Sequence, residues 1–194
     1  ESPQRLIVTR EGRSQPLDAE RIVLAAGARP LSGPWTVDED RCLSYRGLLA
    51  LSRLPASLLV IGGGVIGCEF ASFLSACGTT VTLVEQEPQL LPNEDPEAVR
   101  WLTRRFEAEG VAVLTGTTVS RLETSPTDVS ATLSNGTRLS AERCLIAIGQ
   151  RPNIEALRLD AASVRSGSGV EVDEWCRTSQ PHIAAIGDCL EAHG

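Results

Sequence analysis

Three glycines at a regular spacing are the residues of this sequence that most directly indicate chemistry. The apolar stretch 58–61 is followed by the pattern G-x-G-x-x-G, formed by Gly62, Gly64 and Gly67. A helix-like stretch follows, and Glu85 ends the next β-branched stretch. Backbone N–H groups at a helix start bind phosphate oxygens, and a carboxylate at the end of the second strand accepts hydrogen bonds from ribose hydroxyls. The pattern therefore predicts a dinucleotide site.

Each glycine of this loop has its own predicted role. Gly62 allows the tight turn, Gly64 lets the backbone approach a pyrophosphate, and Gly67 lets the helix pack close to the sheet. The other predicted nucleotide-binding residues of the loop are Gly63, Val65 and Ile66. The alternative is a glycine-rich turn without a ligand, which leaves the carboxylate after the second strand unexplained.

The charges around the loop favour NAD over NADP. A carboxylate at Glu85 repels a 2′-phosphate by roughly 1–4 kcal/mol at about 4 Å, depending on the local dielectric. The stretch from Leu54 to Val99 contains no basic residue, so no arginine is available there for a 2′-phosphate.

The overall charge limits the possible partners. The formal net charge is -7, and all 18 basic residues are arginines. A nucleic acid or an anionic membrane surface needs a basic face, so both are excluded as expected partners. No apolar run reaches membrane-spanning length and no signal peptide is visible. Because the sequence lacks methionine, even at position 1, we interpret it as a piece of a longer chain.

The six cysteines include no C-x-x-C or other tight pair. The sequence therefore predicts no metal site, and free cysteines fit a cytoplasmic location. Cys68 lies in the first turn of the predicted helix, where a helix N-terminus can lower a thiol pKa. A small buried residue is the favoured alternative for this position.

The pattern of elements predicts an α/β fold. A Rossmann-like parallel sheet is expected around the glycine loop, followed by an antiparallel three-stranded meander over 119–139 with a turn at Asn135-Gly136. The other predicted strands are 5–10 and 20–25, joined by a polar stretch 11–18, and then 169–173 and 183–186.

A near-repeat brackets this central part. Residues 20–30 and 142–152 are apolar strands that both end in Gly-x-Arg-Pro. With these motifs the chain resembles the FAD-dependent pyridine nucleotide–disulfide oxidoreductases, among which the dihydrolipoamide dehydrogenases are nearest. The matching segments are Ala25-Ala26-Gly27, Arg29-Pro30, Gly62 to Glu69, Glu85, Ala147-Ile148-Gly149 and Ala185-Ile186-Gly187-Asp188.

The resemblance implies a division of the chain and further site residues. Residues 34–150 are expected to form the NAD-binding domain, flanked by FAD-domain segments 1–33 and 151–194. Glu69 and Gly149 are expected near the nicotinamide, and Val65 beside the flavin. The residues expected to bind FAD are Gly27, Gly187 and Asp188. A helix-surface carboxylate at position 69 and a helix-capping aspartate at position 188 are the alternatives.

The resemblance also implies a function for the parent protein, expected to be a homodimer. That function is hydride transfer between NADH and FAD, and onward to a disulfide. The family's two cysteines separated by four residues and its His–Glu pair do not occur here, so we expect no catalytic residue in this chain and no activity of the chain alone. Two alternatives stay open: a non-catalytic nucleotide-binding module, or a relative whose acceptor is mercuric ion, oxygen or a ferredoxin-like partner.

Overall fold

A computed structural model describes residues 4–191, so residues 1–3 and 192–194 of the predicted flanking segments lie outside the described part. The chain divides into two compact units, one comprising residues up to Arg29 and from Gln150 onward, the other residues Pro30–Gly149. The described strands are β1 Arg5–Arg10, β2 Arg13–Asp18, β3 Ile22–Leu24, β4 Ala28–Pro30, β5 Cys42–Leu43, β6 Ser57–Ile61, β7 Thr80–Val84, β8 Ala112–Leu114, β9 Val119–Thr124, β10 Val129–Leu133, β11 Arg138–Ala141, β12 Arg143–Ile146, β13 Gln150–Pro152 and β14 Ile183–Ala185. The described α-helices are α1 Tyr45–Leu49, α2 Val65–Ala76 and α3 Pro96–Ala108.

The larger unit is built on a five-stranded sheet with the order β5-β12-β6-β7-β8. All four strand pairs in it are parallel. The meander β9-β10-β11 is antiparallel. This mixed α/β architecture, with a parallel sheet and an antiparallel meander, confirms the predicted fold class.

The central strand β6 shows why the sheet has a layer on each face. Leu58 and Val60 belong to an apolar cluster with side chains of the three helices. Leu59 and Ile61 belong to a second cluster with side chains of the meander. Successive side chains of a strand point to opposite faces, so an unbroken apolar run is what a sheet covered on both sides requires.

The helix ends follow local sequence signals. Asp95 is the N-cap of α3, its Oδ1 accepts from the backbone N–H groups of Glu97 and Ala98 at 2.8 and 3.1 Å, and Pro96 is the first helical residue. Gly78, just after the C-cap of α2, has a φ of +91°. The predicted caps at both places are confirmed.

The smaller unit holds the remaining strands. β3 pairs in parallel with β14, and β4 pairs with β13. Its apolar core consists of Ile22, Leu159, Val164, Val170, Ile183, Ala185 and Cys189.

Two predictions for this unit are wrong. The polar stretch 11–18 is no connector, because β2 occupies most of it and pairs antiparallel with β1. Glu11 and Gly12 both have positive φ and form the two-residue turn of this hairpin. The second wrong prediction is a strand at 169–173. Val170 makes only isolated bridges, to Ser166 and Leu190, because neighbouring backbone groups bond to different segments and no ladder continues.

Candidate nucleotide-binding site

The glycine loop connects the end of β6 to the start of α2. Gly62 has a φ of +107°, and a Cβ there would lie 2.3 Å from the carbonyl oxygen of Ala147. A Cβ on Gly67 would lie 1.9 Å from the carbonyl oxygen of Gly62. Both glycines are therefore required by backbone packing, at the turn and at the helix–strand contact.

Gly64 is different, because nothing in the protein excludes a side chain there. It is the N-cap of α2 with a φ of -73°. Because glycine has no side chain, it provides no capping hydrogen bond. No atom lies within 4 Å of the position that its Cβ would occupy. The space beside Gly64 is therefore open at the start of α2, the end of a helix at which the helix dipole stabilises an anion. A pyrophosphate group fits this arrangement.

Glu85 lies at the loop, directly after β7. Its side chain is almost fully buried, with 7% of the residue exposed. One carboxylate oxygen, Oε2, accepts a hydrogen bond from the backbone N–H of Gly63 at 2.5 Å, and the other accepts from the N–H of Glu87 at 2.8 Å. A carboxylate has roughly four acceptor positions. The two N–H groups leave acceptor capacity for ribose hydroxyls.

The peptide groups of Gly63 connect the glycine loop to Glu85, to Cys68 in α2 and to Leu91. The sequence pattern did not indicate these connections. The Gly63 carbonyl oxygen accepts from the N–H of Leu91 at 2.8 Å and from Sγ of Cys68 at 3.3 Å. Leu91 adopts a φ of +46° at this contact. Leucine is not a residue type that signals positive φ, so only the structure identifies this support of the loop.

Cys68 is a buried thiol and not an activated one. Burial raises its pKa to about 12, and the negative charges of Glu85 and Glu69 add to the effect. Desolvation and neighbouring carboxylates thus outweigh the helix N-terminus at this position. Of the two alternatives for Cys68, the structure supports the small buried residue.

Glu69 and Gly149, expected near the nicotinamide, and Val65, expected beside the flavin, lie at the surface of the same unit. Val65 is 58% exposed, and Glu69 is exposed one turn further along α2. Both line a groove of about 610 Å³ between α2 and α3. Ile66 is half-buried and packs against the helix-side core. Gly149 has a φ of +124°, and its carbonyl oxygen accepts from the N–H of Leu31 at 3.0 Å.

The residues expected to bind FAD lie in the smaller unit. Gly27 and Gly187 have φ values of +66° and +74°, and at both positions a Cβ would meet no atom within 4 Å. Asp188 is exposed in a three-residue 3-10 turn, Gly187–Cys189, that begins without a side-chain cap. The alternative, in which Asp188 caps a following helix, concerns chain beyond the described residues, which end at position 191.

Within residues 4–191, no group of three or more histidine, cysteine, aspartate or glutamate side chains is arranged to hold a metal ion. No helix in the same residues is both long and apolar enough to cross a membrane.

Comparison with known proteins defines the class of protein. Residues 2–193 match the family model of the pyridine nucleotide-disulphide oxidoreductases. The chain is 32% identical over 192 residues to dihydrolipoyl dehydrogenase of Bacillus subtilis, covering 97% of this chain and 42% of that protein. This chain therefore belongs to the pyridine nucleotide-disulphide oxidoreductase family. It spans less than half the length of that curated relative.

Solved structures of the same kind share the fold. The Cu(II) complex of the HOCl-induced flavoprotein disulfide reductase RclA from Escherichia coli superposes with a TM-score of 0.87 at 28% identity, covering 96% of this chain and 43% of that one. A ferredoxin reductase from Rhodopseudomonas palustris superposes with a TM-score of 0.80 at 28% identity, covering 91% and 45%.

Proposed function

We propose that residues 34–150 form the NAD(H)-binding domain of a flavin-dependent oxidoreductase, and that residues 1–33 and 151–194 belong to its FAD-binding domain. One observation carries the proposal: the open N-terminus of α2, with no side chain at Gly64, lies in the same loop as the buried carboxylate of Glu85. An amide cradle for a pyrophosphate and an acceptor for a ribose are the two contacts that an NAD site needs.

Each group of residues has a defined part in this proposal. Amides from Gly64 to Gly67 hold the pyrophosphate, while the N–H groups of Gly62 and Gly63 donate to Val84 and Glu85 and fix the turn beside it. Glu85 binds the ribose and rejects a 2′-phosphate. Glu69 and Gly149 flank the nicotinamide, Val65 lies beside the flavin, and Gly27, Gly187 and Asp188 hold FAD. When bound, the two cofactors supply hydride transfer between nicotinamide and flavin, and the protein positions them for it.

The terminal acceptor proposed for the parent enzyme is a disulfide, as in the dihydrolipoyl dehydrogenases that the chain resembles. We propose that the chain alone is an inactive nucleotide-binding module, because its cysteines do not include the family's closely spaced redox pair. The similarity to a ferredoxin reductase favours a ferredoxin-like partner as the second candidate acceptor. We further propose a cytoplasmic, homodimeric parent.

The proposal is tested by titrating the chain with NADH and following the nicotinamide fluorescence. Saturable binding that is displaced by NAD supports a working nucleotide site. A flat titration up to millimolar NADH contradicts it. Adding FAD to the same chain and measuring bound flavin after gel filtration separately tests the assignment of Gly27, Gly187 and Asp188.

A further inference from the structure

Two cysteines lie side by side on neighbouring strands of the parallel sheet. Cys42 in β5 is the register partner of Cys144 in β12. Both belong to the apolar cluster on the meander side of the sheet, so both side chains point to the same face. They are 102 residues apart in sequence, and no sequence spacing reveals the pair.

The distance between such partners suits a disulfide bond. Neighbouring strands lie about 4.8 Å apart. A disulfide needs Cα atoms about 4.4–6.8 Å apart. The two neighbouring thiols influence each other: the Cys144 thiol lowers the pKa of Cys42, while the Cys42 thiol and burial raise the pKa of Cys144. Cys42 lies on the edge strand of the sheet, so it is the thiol that a reagent reaches first and the nucleophile of the pair.

The other cysteines have different surroundings. Sγ of Cys68 donates to the carbonyl of Gly63, and Sγ of Cys189 lies 3.2 Å from the carbonyl oxygen of Ile186. Cys77 is exposed and Cys176 is partly exposed. Among the strand pairs of the described residues, only β5 and β12 place two cysteines opposite each other.

Access to the pair comes through β5. Cys42 is 1% exposed and Cys144 is fully buried, so the folded core shields both. However, β5 is only two residues long and lies at the edge of the sheet. A short edge strand opens at a low free-energy cost compared with the central strands, and its opening exposes Cys42 first.

We propose that Cys42 and Cys144 are a dithiol site that a low-molecular-weight disulfide oxidises to an intramolecular disulfide. The Cys42 thiolate attacks one sulfur of the reagent, forms a mixed disulfide and releases one reagent thiol. The Cys144 thiolate then attacks Sγ of Cys42 and releases the second reagent thiol. The protein loses two electrons and two protons, and the reagent disulfide becomes two thiols.

The disulfide bond joins the edge strand β5 to its neighbour β12. It closes a long loop, which restricts the unfolded chain, so the oxidised protein should have a higher thermal midpoint than the reduced protein. Because the sheet already holds both residues in register, the oxidised chain keeps its fold.

The experiment uses the whole chain incubated with oxidised glutathione, blocked with an alkylating reagent and digested with trypsin without reduction. Cleavage after arginine, but not before Pro152, gives one peptide of residues 42–46 and another of residues 144–158. We expect these two peptides to be joined, at a mass two hydrogens below their sum. Reduction before digestion should separate them and lower the thermal midpoint.

Matched variants make the result specific. Cys77→Ser removes an exposed thiol and should leave the linked peptides unchanged. Cys42→Ala and Cys144→Ala should each abolish them, and circular dichroism shows whether either variant stays folded. The proposal is overturned if both peptides remain alkylated thiols, if Cys42 stops at a glutathione adduct, or if another cysteine is the main partner.

Discussion

The carboxylate of Glu85 accepts a hydrogen bond from the backbone N–H of Gly63 at 2.5 Å, across 22 residues of sequence. This contact ties the end of β7 to the glycine loop and holds a buried charge where a ribose is expected. A buried carboxylate is stable only when N–H groups or opposite charges compensate it, and here two backbone N–H groups do so. The carboxylate is thereby oriented before any nucleotide binds.

Glu85→Gln should weaken NADH binding and narrow the preference for NADH over NADPH. The amide can accept at its single oxygen only, so one of the N–H groups of Gly63 and Glu87 loses its partner, and the repulsion of a 2′-phosphate is removed. A change of about 1 kcal/mol corresponds to a roughly fivefold smaller affinity ratio. Calorimetric titration with both nucleotides measures the ratio. Glu107→Gln, on the exposed side of α3, is the control and should leave the ratio unchanged.

Gly64→Ala and Gly67→Ala should separate binding from folding. The added methyl at Gly64 meets open space within the protein, so the free energy of unfolding should change by no more than about 1 kcal/mol, as for other N-cap replacements. It occupies the pyrophosphate position, so NADH affinity should fall at least tenfold. At Gly67 the methyl collides with the carbonyl of Gly62 and should destabilise the fold itself.

Urea unfolding and NADH titration of both variants check this pair of expectations. A Gly64→Ala protein that binds NADH like the wild type would show that this open space is not the pyrophosphate site. A Gly67→Ala protein of wild-type stability would contradict the close helix–strand contact.

Cys68 should be inert towards alkylation in the folded protein. Because burial raises its pKa to about 12, almost no thiolate exists at pH 8. Exposed Cys77 provides the internal comparison. Timed treatment with iodoacetamide followed by peptide mass spectrometry should show Cys77 modified long before Cys68. Equal rates at the two positions would mean that Cys68 is an accessible, activated thiol after all.

Glu142 should contribute to acid sensitivity. The hydrogen bond from the backbone N–H of Ala56, and then the Arg53 guanidinium, lower the pKa of Glu142 below its usual 4.5. A lowered pKa gives stability that is fully present above about pH 4.5 and is lost as the pH falls through the folded-state value. Glu142→Gln should therefore lose less stability than the wild type between pH 6 and pH 3.

Urea midpoints at those two pH values test this prediction. Glu107→Gln again serves as the control and should lose stability with acid as the wild type does. If Glu142→Gln and the wild type respond identically to acid, the hydrogen bond to Ala56 does not influence stability.

The parts of the fold that the sequence predicts well are those with a strong local signal. The apolar run 58–61, the β-branched strand after Gly78 and the cap at Asp95 each correspond to an element of the structure. The hairpin strand β2 has no such signal, because it carries Pro16, lies exposed on both faces and shows no apolar alternation.

The contacts around the site are less predictable than its motif. The glycine spacing, together with the carboxylate at the end of the second strand, predicts that Gly62, Gly67 and Glu85 lie close together. The hydrogen bonds from Leu91 and Cys68 to the Gly63 carbonyl depend on tertiary packing, which leaves no signature in residue type. The roles of Glu69, Gly149 and Asp188 rest on resemblance and stay predictions.

The most direct test of the account is a calorimetric titration of the chain with NADH and, separately, with NADPH. The open α2 N-terminus and the buried carboxylate of Glu85 predict saturable NADH binding, with NADPH at least tenfold weaker. A preference for NADPH would contradict the role given to Glu85, and binding of neither nucleotide would contradict the proposed NAD site itself.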